Sequence, residues 1–219
     1  MRDTNKLLRF ANMFYSMASS EKLPPDSKDL RVVLKNIEKI ETYQARKKYS
    51  EKNMKHLSSG SSRIVYKTND GTIVKVAKND KGIAQNKAES NPKKKSKYLN
   101  TIISHAKNYS WMETHYLEKI TVKEFEEMTG LNFDDFGEAI RYGLKNVSGN
   151  TDTTKPKNFA EVEKSEIYKD VKDVGLKSDL MPGDLARISS WGSRDGRPIL
   201  IDTGLTKEVF EKFYEDSGS

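Results

Sequence analysis

The sequence has no cysteine, which excludes a disulfide framework, a thiol nucleophile and any zinc site built on thiolates. Its three histidines, His56, His105 and His115, are too scattered to form a metal-ligand pattern. No apolar run reaches the roughly 18 residues a membrane span needs, and Met1-Arg2-Asp3-Thr4-Asn5-Lys6 lacks the apolar block of a signal peptide. A reducing cytoplasm is therefore the expected compartment, with no membrane partner. Aromatic residues are 9% of the chain and hydrophobic residues 35%, below the roughly 45–50% (glycine included) of ordinary globular domains. The 219 residues suffice for one good-sized domain or two small ones, with a thin core and a heavily solvated surface.

Charge is what the sequence has in quantity, at 32% of residues and a net of +7. It is divided along the chain. Residues 1–110 carry 24 lysines and arginines against 10 acids, a balance of +14, and residues 111–219 carry 15 against 22, a balance of −7. This implies either an anion-facing first half or two halves that attract each other. The densest basic pieces are Arg46-Lys47-Lys48 and Lys93-Lys94-Lys95-Ser96-Lys97. Read blandly these are solvated turns; read functionally they meet nucleic acid, an anionic surface or an acidic partner. Few aromatics accompany them, so no stacking platform for single strands is indicated.

Along the chain, Leu7, Leu8, Phe10, Ala11, Phe14 and Met17 predict an amphipathic helix over 5–18, closed by Pro24-Pro25. Asp26 or Ser27 can cap a second helix to about residue 45, with Leu30, Val33, Leu34, Ile37 and Ile40 on one face. Residues 45–56 read as a basic continuation or linker. Ser58-Ser59-Gly60-Ser61-Ser62 is then a turn cluster. Arg63–Lys67 and Thr72–Ala77 read as strands around an Asn69-Asp70-Gly71 hairpin. A helix from Ile83 to Glu89 ends at Asn91-Pro92, and residues 99–106 and 110–117 complete a four-stranded antiparallel sheet. The remainder is mainly helical. Thr121-Val122-Lys123-Glu124 is a capping box, Asn132 or Asp134 opens the next helix, and residues 147–157 have loop composition. One helix is expected through Phe159, Val162, Ile167, Val171 and Val174. A turn at Asp195-Gly196, a strand over Pro198–Asp202 and a last helix over about 206–215 follow.

Four features recur in one order: a glycine turn between strands, a lysine on the next strand, a glutamate on the following helix, and two aspartates near the end. These are parts that phosphate binding requires. Gly60 permits backbone N–H groups to approach anionic oxygens, Lys75 can meet phosphate, and Glu89 can hold that ammonium. Asp184, next to Gly183, and Asp202, two residues before Gly204, can hold Mg²⁺ or orient a hydroxyl.

The stretch Ser59-Gly60-Ser61-Ser62-Arg63-Ile64-Val65-Tyr66-Lys67 followed by Gly71-Thr72-Ile73-Val74-Lys75 resembles the small lobe of the protein-kinase-like superfamily. Gly183-Asp184-Leu185-Ala186-Arg187 and Leu200-Ile201-Asp202-Thr203-Gly204 resemble its catalytic and metal-binding loops, and look nearest to the compact aminoglycoside-phosphotransferase-like branch. Small kinase-like proteins of tailed bacteriophages are similar too, which would place the protein in a host cytoplasm. The resemblance covers residues 57 to about 205. It implies an α+β, bilobal, protein-kinase-like fold with a small antiparallel β-sheet lobe over 57–118 and a reduced helical lobe over 119–219, and residues 1–56, outside it, add the N-terminal helical extension that their apolar spacing predicts. It also implies ATP and Mg²⁺ as cofactors. Gly60, Ser61, Ser62 and Lys75 would meet the nucleotide phosphates, and Glu89 would hold Lys75. The stretch from Glu113 to Leu117, His115 and Tyr116 included, would meet the adenine. Asp184 would serve the accepting hydroxyl, and Asp202 with Ser189 would bind the metal.

The sequence departs from that pattern in four places. It has one glycine in the turn, Ser189 where an amide ligand is expected, no histidine before Asp184, and only 17 residues after Asp202. The function implied is ATP-dependent phosphotransfer to a hydroxyl of a protein or small molecule. The alternatives are an inactive, pseudokinase-like module that binds a host or virion protein, and a nucleic-acid-binding protein acting through the basic first half.

Overall fold

β2 (Arg63–Lys67) and β3 (Thr72–Ala77) pair antiparallel around Asn69-Asp70-Gly71, where Gly71 takes the positive φ of 73° that the tight turn demands. The computed structural model to which they belong describes residues 23–91, 95–149 and 154–215. The helix expected over 5–18, Lys93 and Lys94 lie outside the described residues. The chain divides into two units: Met1–Ile83 with Ser104–Glu113, and Ala84–Ile103 with Thr114–Ser219.

In the first unit the period-two alternation of the hairpin decides its packing. Ile64, Tyr66, Val74 and Val76 point to one face, where α1 (Leu30–Lys39) and α2 (Tyr43–Asn53) cover them with Val33, Leu34, Ile37 and Tyr49. The single helix expected to about residue 45 is in fact these two. Asp29 caps α1, its Oδ1 accepting from the Arg31 N–H at 2.8 Å. Thr42 supplies a second cap for α2, its Oγ1 accepting from the Ala45 N–H at 3.2 Å. Between them Ile40 is extended, and Arg46 donates to the Ile40 and Glu41 carbonyls at 2.9 and 2.8 Å. A second capping threonine outweighs the continuous apolar spacing.

Residues 55–59, expected as linker and turn, form a fifth strand, β1 (Lys55–Ser59). All five of its side chains are exposed, so there is no apolar alternation to read; main-chain pairing with β2 alone makes it a strand. The helix α3 (Asp80–Glu89) lies in sequence between β3 and β4 (Ile102–His105), and β5 (Trp111–His115) follows. The antiparallel sheet runs β1-β2-β3-β5-β4. An antiparallel sheet with one helix inserted before its last two strands, followed by a mainly helical remainder, makes the chain α+β, as the sequence led one to expect.

The second unit is built from α4 (Val122–Thr129), α5 (Phe133–Gly143), α6 (Lys145–Ser148), α7 (Phe159–Val162), α8 (Glu166–Lys177) and α9 (Pro182–Leu185). A 3₁₀ turn at Ile188–Ser190, the hairpin β6 (Trp191–Arg194) and β7 (Arg197–Leu200), and α10 (Lys207–Phe213) complete it. The expected capping box at Thr121 is present, and α4 ends at Gly130 with φ 70°. The helix expected from 159 to 174 is broken into α7 and α8, because Ser165 caps afresh, its Oγ accepting from the Tyr168 N–H at 3.3 Å. Trp191 is wholly buried, and the rings of Phe125 and Phe136 lie edge-on to it at 5.4 and 5.8 Å. Its indole N–H donates to the Leu185 carbonyl at 3.0 Å, tying β6 to α9. Among the described residues no helix is long and apolar enough to cross a membrane.

Candidate active site

In the first unit, the turn between β1 and β2 presents Gly60, Ser61 and Ser62. The Gly60 N–H donates to the Arg63 carbonyl at 2.9 Å, which closes the turn on itself. Gly60 does not have positive φ, and a Cβ there would meet only Arg63 O at 3.8 Å. The turn's shape therefore does not rest on that glycine. It rests on the segment after β3, which sequence reading passed over. Lys78 donates from Nζ to Gly60 O at 2.8 Å and to Ser59 Oγ at 3.3 Å, and from its own N–H to Ser62 O at 2.8 Å. Asn79 donates from Nδ2 to Ser61 O at 3.2 Å, while its Oδ1 accepts from the Gly82 N–H at 3.0 Å. A Cβ on Gly82 would stand 2.2 Å from Ser62 O and 3.1 Å from Ala77 Cα. The glycine that this turn needs is thus Gly82, in the first turn of α3. Its sequence signal was faint: a lone glycine at a helix start, shortly after a strand.

Lys75 stands in the middle of β3, with Val65 of β2 as its cross-strand neighbour, and is 5% exposed. Alternation puts it on the face opposite Val74 and Val76, hence opposite α1 and α2. Arg63, also buried, lies on that same face, paired with Ala77. Two buried cations on one side of a sheet require anionic partners, since burying an ammonium alone is prohibitive. Glu113, on β5, is buried and accepts from Thr72 Oγ1 and Ser104 Oγ, both at 2.8 Å, so its carboxylate is spent on cross-linking the sheet.

In the second unit, Glu89 is 5% exposed and closes α3, and Gln85 and Asn86 are buried one turn before it. That buried polar row was not expected from the sequence, where only Glu89 was singled out. Gln85 donates to the Tyr214 hydroxyl at 3.4 Å. Of the expected adenine-binding residues, His115 is exposed and its carbonyl accepts from Asn100 Nδ2 at 2.9 Å, while Tyr116 is half-buried.

Asp184 sits in α9, half-buried, with Arg187 Nη1 3.5 Å from its Oδ1. Asp202 follows β7, half-buried, and its Oδ1 accepts from the Gly204 N–H at 3.3 Å. The two loops meet along the backbone, where the Ile201 N–H donates to the Ser190 carbonyl at 2.8 Å. That bond sets Ser189, which is exposed, beside the segment that carries Asp202.

Among the described residues no group of three histidines or acids stands ready to hold a metal. Mg²⁺ commonly takes one or two carboxylates and draws its other oxygens from phosphate and water. A fixed, half-exposed Asp202 fits that requirement; the Ser189 hydroxyl is a neutral and weaker donor.

No family model matches the sequence, and no curated protein matches it. Among solved structures, the chain is similar to the ADP-bound aminoglycoside phosphotransferase APH(2'')-Ib, with 14% identity and a TM-score of 0.37 over 74% of this chain and 72% of that one. It is similar also to APH(2'')-IIa in its ternary complex with streptomycin and ATP, with 15% identity and a TM-score of 0.33 over 72% of this chain and 68% of that one.

Proposed function

We propose that the protein is an ATP-dependent phosphotransferase acting on a hydroxyl group. The observation that carries this reading is Lys75, a lysine 5% exposed in the middle of an apolar strand. A position that costs so much desolvation suits a cation that meets phosphate oxygens. In this reading Lys75 neutralises the α- and β-phosphates and the β1–β2 turn, held by Lys78, covers them. Glu89, buried at the end of α3, is the carboxylate that the resemblance would assign to that ammonium. Asp202 would hold Mg²⁺, which when bound offsets charge on the phosphate oxygens. Asp184, restrained by Arg187, orients the accepting hydroxyl and takes its proton. The oxygen–phosphorus bond to the acceptor forms as the bond to the ADP oxygen breaks.

Thermal denaturation with ATP and Mg²⁺ tests this reading. A ligand at about 100 times its Kd stabilises by about 2.7 kcal/mol, a readily measured rise in midpoint. The rise is expected in the wild type and lost in Lys75→Met and in Asp202→Asn. A wild-type midpoint that nucleotide never moves would overturn the reading. One observation favours a second reading, a scaffold that binds without transfer: the exposed Ser189 stands where a metal-binding amide is expected. Nucleotide binding with no γ-phosphate transferred to lysate proteins or small molecules would select that reading.

A further inference from the structure

Apart from the candidate active site, the first unit has a cavity of about 340 Å³. Three segments distant in sequence line it: Ser27 to Val33 before and in α1, Lys52 to Lys55 at the α2–β1 junction, and Lys67 to Asp70 at the hairpin tip. Among the described residues that line it, four are lysines (Lys28, Lys52, Lys55 and Lys67) and Asp70 is the one acid. Two further acids lie near the same segments, each accepting a hydrogen bond from a neutral donor. Asp29 Oδ1 caps α1 at 2.8 Å, and Asp26 Oδ1 accepts from Asn53 Nδ2 at 3.3 Å.

The register makes this concentration of charge costly. Lys55 of β1 and Lys67 of β2 are direct cross-strand partners, an arrangement of like charges that weakens a strand pair. Leu30, Val33 and Met54 supply apolar wall, and apolar walls around charges mostly of one sign focus the field within a cleft. Ser27, Thr68 and Asn69 line it with further polar groups. Among the described residues no aromatic lines the cavity, so none of them would stack on a base there. Lysines used as point charges, without the planar fork of arginine, suit a compact and multiply charged anion.

We infer that this cavity binds a small polyphosphorylated ligand, of the class of an inorganic polyphosphate or a multiply phosphorylated metabolite, at a site separate from Lys75. The inference does not depend on the proposed phosphotransfer.

Calorimetric titration of the full chain with sodium tripolyphosphate tests it, with and without excess ATP and Mg²⁺. Saturable binding is expected in the wild type and, undiminished, in Lys75→Met. In the double variant Lys52→Gln, Lys55→Gln it is expected to be at least about tenfold weaker, the loss of two charge-assisted contacts. The double variant Lys123→Gln, Lys164→Gln, which changes exposed lysines of the other unit, is expected to bind as the wild type does. Far-UV circular dichroism of each variant shows that the fold is kept. The inference is overturned if the Lys52, Lys55 variant binds normally, if the Lys123, Lys164 variant loses as much, or if Lys75→Met abolishes binding. A 12-base-pair DNA duplex that displaces tripolyphosphate at lower charge concentration would overturn it in favour of nucleic acid.

Discussion

At the scale of the residue, the two glycines near the β1–β2 turn separate what a pattern suggests from what packing requires. Gly60 stands where the resemblance implies a phosphate-binding glycine, yet its conformation is open to other residues and its surroundings are roomy. Gly82 carries the constraint, because a Cβ there would stand 2.2 Å from Ser62 O, a main-chain oxygen that cannot step aside. Gly60→Ala is expected to change stability by less than about 0.5 kcal/mol, as exposed substitutions generally do. Gly82→Ala is expected to cost about 3 kcal/mol, at the upper end of overpacking penalties, because α3 must move off Ser62. Urea denaturation of both variants measures the difference. Lys75, Glu89, Asp184 and Asp202 could be singled out as candidates because each combines a chemically apt side chain with a recognisable neighbour. Lys78 and Asn79 were not, since their roles rest on main-chain carbonyls brought near by the hairpin.

Tyr168 gives a second test at this scale. Its ring is buried, its hydroxyl has no hydrogen-bond partner among the described residues, and burial pushes its pKa up to about 12. The folded state therefore holds this proton more tightly than the unfolded chain, where the group titrates near 10. The associated stability is complete below pH 10 and is lost as pH rises towards 12. Tyr168→Phe removes a hydroxyl that is desolvated without compensation, and is expected to raise stability at pH 7 by about 1 kcal/mol. It should also flatten the alkaline limb. Denaturant midpoints at pH 7, 10 and 11 report both effects.

Among the elements, the Thr121 capping box was read correctly and strand β1 was missed, for one reason; the α1 cap, expected at Asp26 or Ser27, is Asp29. A cap is local: Thr121 and Glu124 lie three residues apart and satisfy each other's neighbouring N–H groups wherever the chain goes. Strand β1 exists only because β2 lies beside it, and its own five side chains carry no buried pattern. The α7–α8 break lies between these extremes, since Ser165 caps locally but sits within an otherwise continuous apolar period that hid it. The capping box is testable through its charge. Glu124 accepts from the Thr121 N–H at 2.7 Å, and the backbone and hydroxyl hydrogen bonds from Thr121 hold its carboxyl below the usual range. A depressed carboxyl stabilises the fold above its unfolded value, near 4.5, and that contribution is lost as pH falls through the lower folded value. Thr121→Ala is expected to cost about 1 kcal/mol at pH 7 as a lost cap. The difference between variant and wild type should narrow as pH falls below 4.5. Thermal midpoints from pH 7 to pH 3 are the measurement.

For the whole molecule, the division of charge along the sequence was legible, but the places where charge accumulates were not. Of the two basic runs, Arg46-Lys47-Lys48 is largely consumed by structure. Arg46 is buried against the Ile40 and Glu41 carbonyls, and Lys47 pairs with Glu51 at 3.8 Å. Lys97, at the end of the other run, pairs with Glu166. The dense cationic cavity draws instead on Lys28, Lys52, Lys55 and Lys67, which no window of the sequence shows together. Salt distinguishes the two kinds of cation. Exposed charges are screened over about 10 Å at 0.1 M salt and about 3 Å at 1 M, whereas a buried guanidinium bonded to carbonyls is not. Arg46→Gln should therefore cost about 2–4 kcal/mol, the loss of charge-assisted bonds that join α1 to α2, and equally at 0.05 M and 1 M NaCl. Lys47→Gln with Lys48→Gln should stay within about 0.5 kcal/mol of the wild type, as exposed pairs do. Urea unfolding at the two salt concentrations decides the matter. If high salt restored the Arg46→Gln variant, that arginine would belong to an anion-facing patch after all.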